Sequence, residues 1–379
     1  MIYLDHNATT PLAPEVLETM LPYLREHHGN PSSIHAAGRE TRAAIDESRD
    51  RLARLLGAKS HEIIFTGGGT ESDNLAILGL ARKNAGRGRH LITCATEHHA
   101  VLHAFEWLEK REGFRVTVLP VEADGRLSQA TLRAALTPET TLVSVMTANN
   151  ETGVRHPVAD LAALCRERGV LFHTDAIQTF GKEPLPSLGA SAFDAVSLAA
   201  HKFRGPAGAG LLWLRAGLPI DRLSHGGSHE GERRPGTENT AAIAGMARAA
   251  ELALAGLEGD RLTILRERLW EGLHAAFPAA VRNGAPELSL ANTLNVSFPG
   301  LDGESLIIGL DLAGLCVSSG SACMVGSIQP SHVLLAMGVP VELAQATVRF
   351  SLGSTTTAAE IEEAILRIRS VLKRLQAAV

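Results

Sequence analysis

Between residues 60 and 215 the chain alternates short apolar runs with longer stretches whose apolar residues recur every three or four positions. Seven short runs read as strands: HEIIFT (61–66), HLITCA (90–95), FRVTVLPV (114–121), TLVSVMTA (141–148), VLFHTDA (170–176), FDAVSLAA (193–200) and GAGLLWLR (208–215). Most are rich in β-branched residues and flanked by glycine or polar turns. Stretches such as VLHAFEWLEKREG (101–113) and PVADLAALCRERG (157–169) have helical length and period, the second with Pro157 expected at the first helical position and a stop at Gly169. This alternation predicts an α/β fold, a mainly parallel sheet covered by helices on both faces. Ligands of such sheets bind beyond the carboxyl ends of the strands, so the chemistry is expected there.

Residues 240–280 read as long Ala/Leu-rich helices leading to a second unit. In it NTLNVSFPG, LCVSSGSAC and ATVRFSLG (292–300, 315–323 and 346–353) read as strands, and the stretch 358–377 as an amphipathic helix. The expected division is a large α/β domain over 13–256 and a smaller α+β domain over 257–379, joined by residues 1–12.

Composition narrows the function classes. Apolar residues make up 45% of the 379 and charged residues 20%, as in ordinary globular proteins. With 36 basic and 41 acidic side chains and no run of Lys/Arg, a nucleic-acid partner is not expected. Four scattered cysteines without a CxxC pair, no signal-peptide pattern and no long apolar run point to a cytoplasmic protein with no membrane partner.

The strand ends carry unusual residues. TGGGTESDN (66–74) follows the first strand, and its glycines open a helix at Thr70, with Asp73 placed like a capping-box partner. Such a loop is either an anion cradle or a plain glycine turn. ATEHHAVLH (95–103) ends the second strand; His99 and His103 with Glu97 would be a metal reading, but no HExxH or third ligand accompanies them, and no metal is expected. His98 at the same junction can lay its ring over a flat cofactor. Further on come Asn150 in ANNETG, Asp175 and Gln178 in HTDAIQ, and Lys202 in AAHKFRGPAGAG. A carboxylate at a strand tip is costly to bury without a cation.

Pyridoxal phosphate accounts for all these ends: a lysine for its aldehyde, an acid for its pyridine nitrogen, a phosphate cup at a helix N-terminus and a planar group against the ring. Lys202, Asp175, the Gly67–Thr70 loop and His98 fill those roles. Cys323, in the small and polar run SSGSACMVGSIQPSHVL (318–334), is the candidate nucleophile. Cys94, Cys165 and Cys316 lie in strand or helix patterns and read as packing residues. Arg349 can either clamp a substrate carboxylate or pair with a structural acid.

The chain resembles the cysteine desulfurases of the NifS/IscS type, pyridoxal-phosphate enzymes of the class V aminotransferase group. The likeness is carried by YLDHNATTPLAPEV (3–16), GNPSSIHAAGR (29–39), FTGGGTESDNLAI (65–77), TEHHAVL (96–102), NNETG (149–153), HTDAIQTFGK (173–182), HKFRGP (201–206), RRPGTEN (233–239), SSGSAC (318–323) and RFSLG (349–353). It implies transferase fold type I, with a seven-stranded large sheet, and a homodimer with active sites at the subunit interface. It also implies that Lys202 holds the cofactor, His98 stacks on it and shuttles protons, Asp175 pairs with its ring nitrogen and Gln178 with its hydroxyl. Gly69, Thr70 and His201 would cradle the phosphate with Thr237 of the other subunit, while Asn150 and Arg349 would hold the substrate carboxylate and Asn150 would also line the cofactor site. Cys323 would take sulfur from L-cysteine as a persulfide, leaving L-alanine, and pass it to an acceptor protein for iron–sulfur assembly or thio-modification.

Several positions depart from the family pattern. Ala199 stands where a phosphate-binding serine is usual, which would cost about 1–3 kcal/mol if an oxygen went unpaired. Residues 229–232 read HEGE in place of QERG, Met324-Val325 replaces a Thr-rich pair, and Ser354 replaces an arginine. Rival readings are a selenocysteine lyase or other class V enzyme independent of Cys323, and a non-catalytic scaffold of the same fold.

Overall fold

The computed structural model describes residues 1–319 and 330–377. All seven expected strands form, as β1 (Ile63–Thr66), β2 (His90–Cys94), β3 (Arg115–Leu119), β4 (Thr140–Ser144), β5 (Leu171–Asp175), β6 (Ala195–Ala199) and β7 (Gly210–Leu214). They make one sheet in the order β1-β7-β6-β5-β4-β2-β3, with only β7 antiparallel to its neighbours. The carboxyl ends of the other six therefore share one edge. Five of them, Thr66, Cys94, Ser144, Asp175 and Ala199, lead directly into the loops that carry the candidate chemistry.

Both faces of this sheet are buried, and the strands show it by alternation. Ile63, Phe65, Ile92, Val143, Phe172, Val196, Leu198, Leu211 and Trp213 face one core. Ile64, Leu91, Leu142, Leu171, Ala195, Leu212 and Leu214 face the other. Helices Ala36–Leu56, Val158–Glu167 and Thr240–Ala255 cover the first face; Gly69–Lys83 and His99–Glu112 cover the second. Pro157 is the N-cap of its helix, one residue earlier than expected, because its ψ of 57° is not helical, while Gly169 follows the end with φ of +68°.

A third core gathers residues from helices Gly259–Ala276, Gly303–Leu312 and Ala358–Gln376 with Leu294, Val296, Val348 and Phe350. Its sheet is antiparallel, in the order Ser318–Ser319, Thr347–Ser351, Thr293–Ser297, Val281–Arg282. Ile2 and Leu4 join this core, and Ile2–Tyr3 pairs in parallel with Leu315–Cys316. The chain then crosses to the large sheet, where Thr10 N donates to His201 O at 3.0 Å and Ala13 N to Arg204 O at 3.0 Å.

The variant HEGE segment is a short turn in which Glu230 adopts φ of +51° and is buried. Arg49 meets its carboxylate through two hydrogen bonds of 2.7 Å and lies over the Phe65 ring. The Glu230 side chain is 1% exposed, and Arg49 is the ion-pair partner it meets within 4 Å among the described residues, so removal of Arg49 leaves a buried charge without its hydrogen-bonded counter-ion. Arg49→Ala is expected to lower stability by about 3–5 kcal/mol, read as a fall in the urea unfolding midpoint, whereas Arg49→Lys should recover part of the loss.

Candidate active site

The glycine loop after β1 is tight for a stated reason. A Cβ on Gly210 of β7 would lie 2.6 Å from the Gly68 carbonyl carbon and 2.5 Å from Thr66 Oγ1. One on Gly69 would lie 2.2 Å from Ile177 Cδ1 and 3.4 Å from the Ala199 methyl. Glycine at these positions lets the N-terminus of helix Gly69–Lys83 close down on the ends of β5 and β6. No side chain caps that helix. Glu71 turns back to accept from Gly67 N at 2.6 Å and is held by Arg234 at 2.8 Å. The Thr70 side chain remains exposed at the mouth of the loop.

The expected capping contact between Thr70 and Asp73 does not form. Gly68 is the N-cap, and Asp73 points inward to the sheet, where neither carboxylate oxygen has a hydrogen-bond partner among the described residues. The nearest polar ring is His173, at 3.6 Å. Burial, followed by the neighbouring Asp175, pushes the Asp73 pKa well above the ordinary carboxylate value, which favours its protonated form.

Lys202 follows β6 on a single turn of 3₁₀ helix. Its Nζ donates to Asn7 O at 2.6 Å and Ala8 O at 2.8 Å. Burial, then the positive charge of Arg349, lowers its pKa to about 8. Two residues later Arg204 takes φ of +66°, a conformation costly for a side-chain-bearing residue, and is pinned there by Thr10 Oγ1, which accepts from its N–H at 2.8 Å.

Asp175 ends the adjoining strand. Its Oδ1 accepts from Ile177 N at 2.8 Å, and burial raises its pKa to about 6, with Lys202 pulling the other way. Gln178 donates to Asn7 O at 3.0 Å and accepts from Lys182 Nζ at 2.7 Å. His98 is the N-cap of helix His99–Glu112, Nδ1 accepting from Ala100 N at 3.1 Å. His98 is exposed, yet desolvation by the protein around it, and then Lys202, push its pKa down to about 4. His201 meets Thr9 Oγ1 at 3.2 Å and is likewise lowered to about 4 by burial.

Arg349, on the small sheet, is 3% exposed. Nη1 donates to Asn150 O at 2.9 Å and Nη2 to Asp5 Oδ1 at 2.7 Å. The Asn150 side-chain amide makes no hydrogen bond among the described residues. Thr237 is exposed on the loop before helix Thr240–Ala255 and bonds to none of these groups within the chain. Cys323 lies outside the described residues.

The metal reading finds no support in the geometry. Glu97 is buried and accepts from Met146 N at 2.7 Å, away from His99 and His103, whose rings stack at 5.1 Å. Among the described residues no group of three His, Cys, Asp or Glu is placed to hold an ion. Cys94 and Cys165 are buried, and burial pushes both thiols up to about 12, which suits their reading as packing residues.

The residue that sequence reasoning passed over is Asn7. Its side chain donates to Asn150 O and Thr293 Oγ1 and accepts from Lys182 and Asn292, while its carbonyl serves Lys202 and Gln178. It lies within the YLDHNATT block, but no local spacing announces partners 143 to 286 residues away. Half-buried Lys182, lowered well below the ordinary lysine value by desolvation, was passed over likewise.

The residues present fit pyridoxal phosphate. The glycine loop, packed so closely on Gly210 that a Cβ there would meet the Gly68 backbone, leads into a helix N-terminus that no side chain caps, and buried Asp175 keeps one oxygen without a hydrogen bond among the described residues, beside a lysine of lowered pKa.

The family profile for aminotransferase class V matches residues 2–364. The chain is 46% identical over 377 residues to "Cysteine desulfurase IscS" of Dictyoglomus turgidum, covering 99% of this chain and 95% of that one. It is 47% identical to "Cysteine desulfurase" of Cereibacter sphaeroides, covering 99% and 97%. Among solved structures, a "NIFS-like protein" superposes with a TM-score of 0.93 at 38% identity, covering 99% of this chain and 100% of the other.

The cradle yields a direct test. Gly210→Ala should displace the Gly67–Thr70 backbone, costing about 1–3 kcal/mol in stability and weakening pyridoxal phosphate retention, read by urea unfolding and by dialysis against phosphate. Unaltered retention would remove the loop from the cofactor site.

Proposed function

The chain belongs to the aminotransferase class V family and is a pyridoxal-phosphate-dependent cysteine desulfurase, and from that premise we propose how its own residues divide the work. The observation that carries the assignment is the pair of Lys202 and Asp175 at the ends of adjoining parallel strands, each with its pKa drawn toward neutrality. Its desulfurase relatives favour this reading over a selenocysteine lyase or a scaffold.

Pyridoxal phosphate, when bound, supplies an electron sink for the substrate's α-carbon. Lys202 would hold it, Asp175 would give the ring nitrogen its counter-charge, and Gln178 would face its hydroxyl. Gly69, Thr70 and His201 would cradle the phosphate, completed by Thr237 of a second copy in a homodimer. Asn150 and Arg349 would bind the substrate carboxylate. Lys202, neutral above about pH 8, can take a proton, and His98, kept neutral by its lowered pKa with Nδ1 accepting from Ala100 N, carries its hydrogen on Nε2 and can donate it from there.

Cys323 would receive the sulfur. The substrate Cβ–S bond breaks, an Sγ–S bond forms on Cys323, and a proton completes the methyl group of alanine, so the exchange needs no outside oxidant. The persulfide would pass to an acceptor protein of an iron–sulfur or thio-modification route. We place the domain boundary at 256/257, supported by the separation of the third core from the two that flank the large sheet. A cytoplasmic location is supported by the free thiols of Cys94, Cys165 and Cys316.

In an assay of L-cysteine with a thiol reductant, alanine and sulfide should appear in equal and continuing amounts. Cys323→Ser should cut both by roughly 10²-fold or more while the cofactor stays bound. Full turnover in that variant would sink the persulfide role. Covalent capture of pyridoxal phosphate by the apoenzyme, followed by absorbance, should accelerate as pH rises to about 8 and then level, because the neutral amine is the reacting form. A rate still climbing far above that pH would return Lys202 to an ordinary lysine.

A further inference from the structure

Arg349 already has a carboxylate partner. Asp5 Oδ1 sits 2.7 Å from Nη2, while Nη1 is held by Asn150 O and Nε is buried with no hydrogen bond among the described residues. We propose that Asp5 is a resident carboxylate that holds the place of the substrate's carboxylate at Arg349, and so sets both the affinity and the carboxylate selectivity of the site. The proposal rests on the reading of Arg349 as the substrate clamp.

The backbone at Asp5 is fixed and its side chain is not. His6 N donates to Ser351 O at 3.1 Å, Ser351 N donates to Leu4 O at 2.7 Å, and Tyr3 Oη donates to Asp5 O at 3.1 Å. The Asp5 carboxylate, by contrast, has Arg349 as its one hydrogen-bond partner among the described residues. Its side chain is 19% exposed against 3% for Arg349. Rotation about its own side-chain bonds therefore takes Asp5 into water while the guanidinium stays buried.

That asymmetry is what a placeholder requires. A buried guanidinium without a counter-ion is costly, so the empty site keeps its pair. An arriving carboxylate exchanges one charge-assisted bond for another, and the displaced acid is hydrated. A ligand without a carboxylate has nothing to offer Arg349, so displacing Asp5 would strand the guanidinium and the exchange does not occur. Asp5 thus lowers the affinity of the carboxylate ligands that must displace it from Arg349 and leaves untouched those that do not reach the guanidinium.

Asp5→Asn holoenzyme tests this with three ligands: L-cysteine, 3-mercaptopropionate (carboxylate and thiol, no amine) and cysteamine (amine and thiol, no carboxylate). The variant should lower the KM for L-cysteine and the inhibition constant of 3-mercaptopropionate by about tenfold each, with cysteamine unchanged. Unchanged or weaker binding of 3-mercaptopropionate would make Asp5 a mere buttress of Arg349 and overturn the proposal. Arg349→Ala separates the two readings: 3-mercaptopropionate inhibition that survives it unaltered removes Arg349 as the clamp, and the proposal with it. If Asp5→Asn does not fold, a crystal structure of the wild-type holoenzyme with 3-mercaptopropionate decides. Asp5 turned to solvent supports the exchange, and Asp5 still bonded to Nη2 overturns it.

Discussion

The amine of Lys202 rests on two main-chain carbonyls, those of Asn7 and Ala8, and most of the site's geometry follows from that contact. The segment that supplies them begins in the core of the small unit and ends against the turn after β6. Asn7 uses its carbonyl for Lys202 and Gln178 and its amide for Asn150, Thr293, Lys182 and Asn292, so one residue gauges the separation of groups from both sheets. Buried polar atoms without partners are expensive, and here nearly every one around Asn7 is met. The segment acts as a tie rod between the substrate clamp and the cofactor lysine.

Charge is distributed with similar economy along the strand ends. Asp73, Glu97 and Asp175 are all buried, and in each desolvation raises the pKa. Lys202 opposes that rise only for Asp175, which also accepts a backbone N–H. One acid is thus opposed by a cation, while burial favours the protonated form of the other two. An acid in its protonated form adds no competing negative field where a pyridinium charge would be balanced.

Much of this was legible in the chain beforehand. The seven strands were, because each face of the large sheet takes every second residue and the runs are bounded by glycine and polar turns. Asp175 could be placed because it closes its strand, and Lys202 because it follows within three residues of the end of the next. The Thr70–Asp73 cap could not be judged from spacing, since Gly68 as N-cap rotates Asp73 onto the inward face of the helix. Asn7, Lys182 and Asp5 escaped for a different reason: their partners are brought together only by the fold, across as many as 344 positions of sequence. Polar residues at local turns leave a pattern, whereas polar residues that bridge two units leave none.

The two deeply buried thiols bear on how the chain handles reactive sulfur. Cys94 and Cys165, with their acidities pushed to about 12, are almost wholly protonated at neutral pH and closed to solvent. A sulfane sulfur moves by attack of a thiolate, and these two offer none. Sulfur released by the enzyme therefore has little chance of migrating into the large sheet, where a persulfide would swell the packed core on which the strand ends depend. Burial here acts as insulation, keeping the cargo on the route to its recipient.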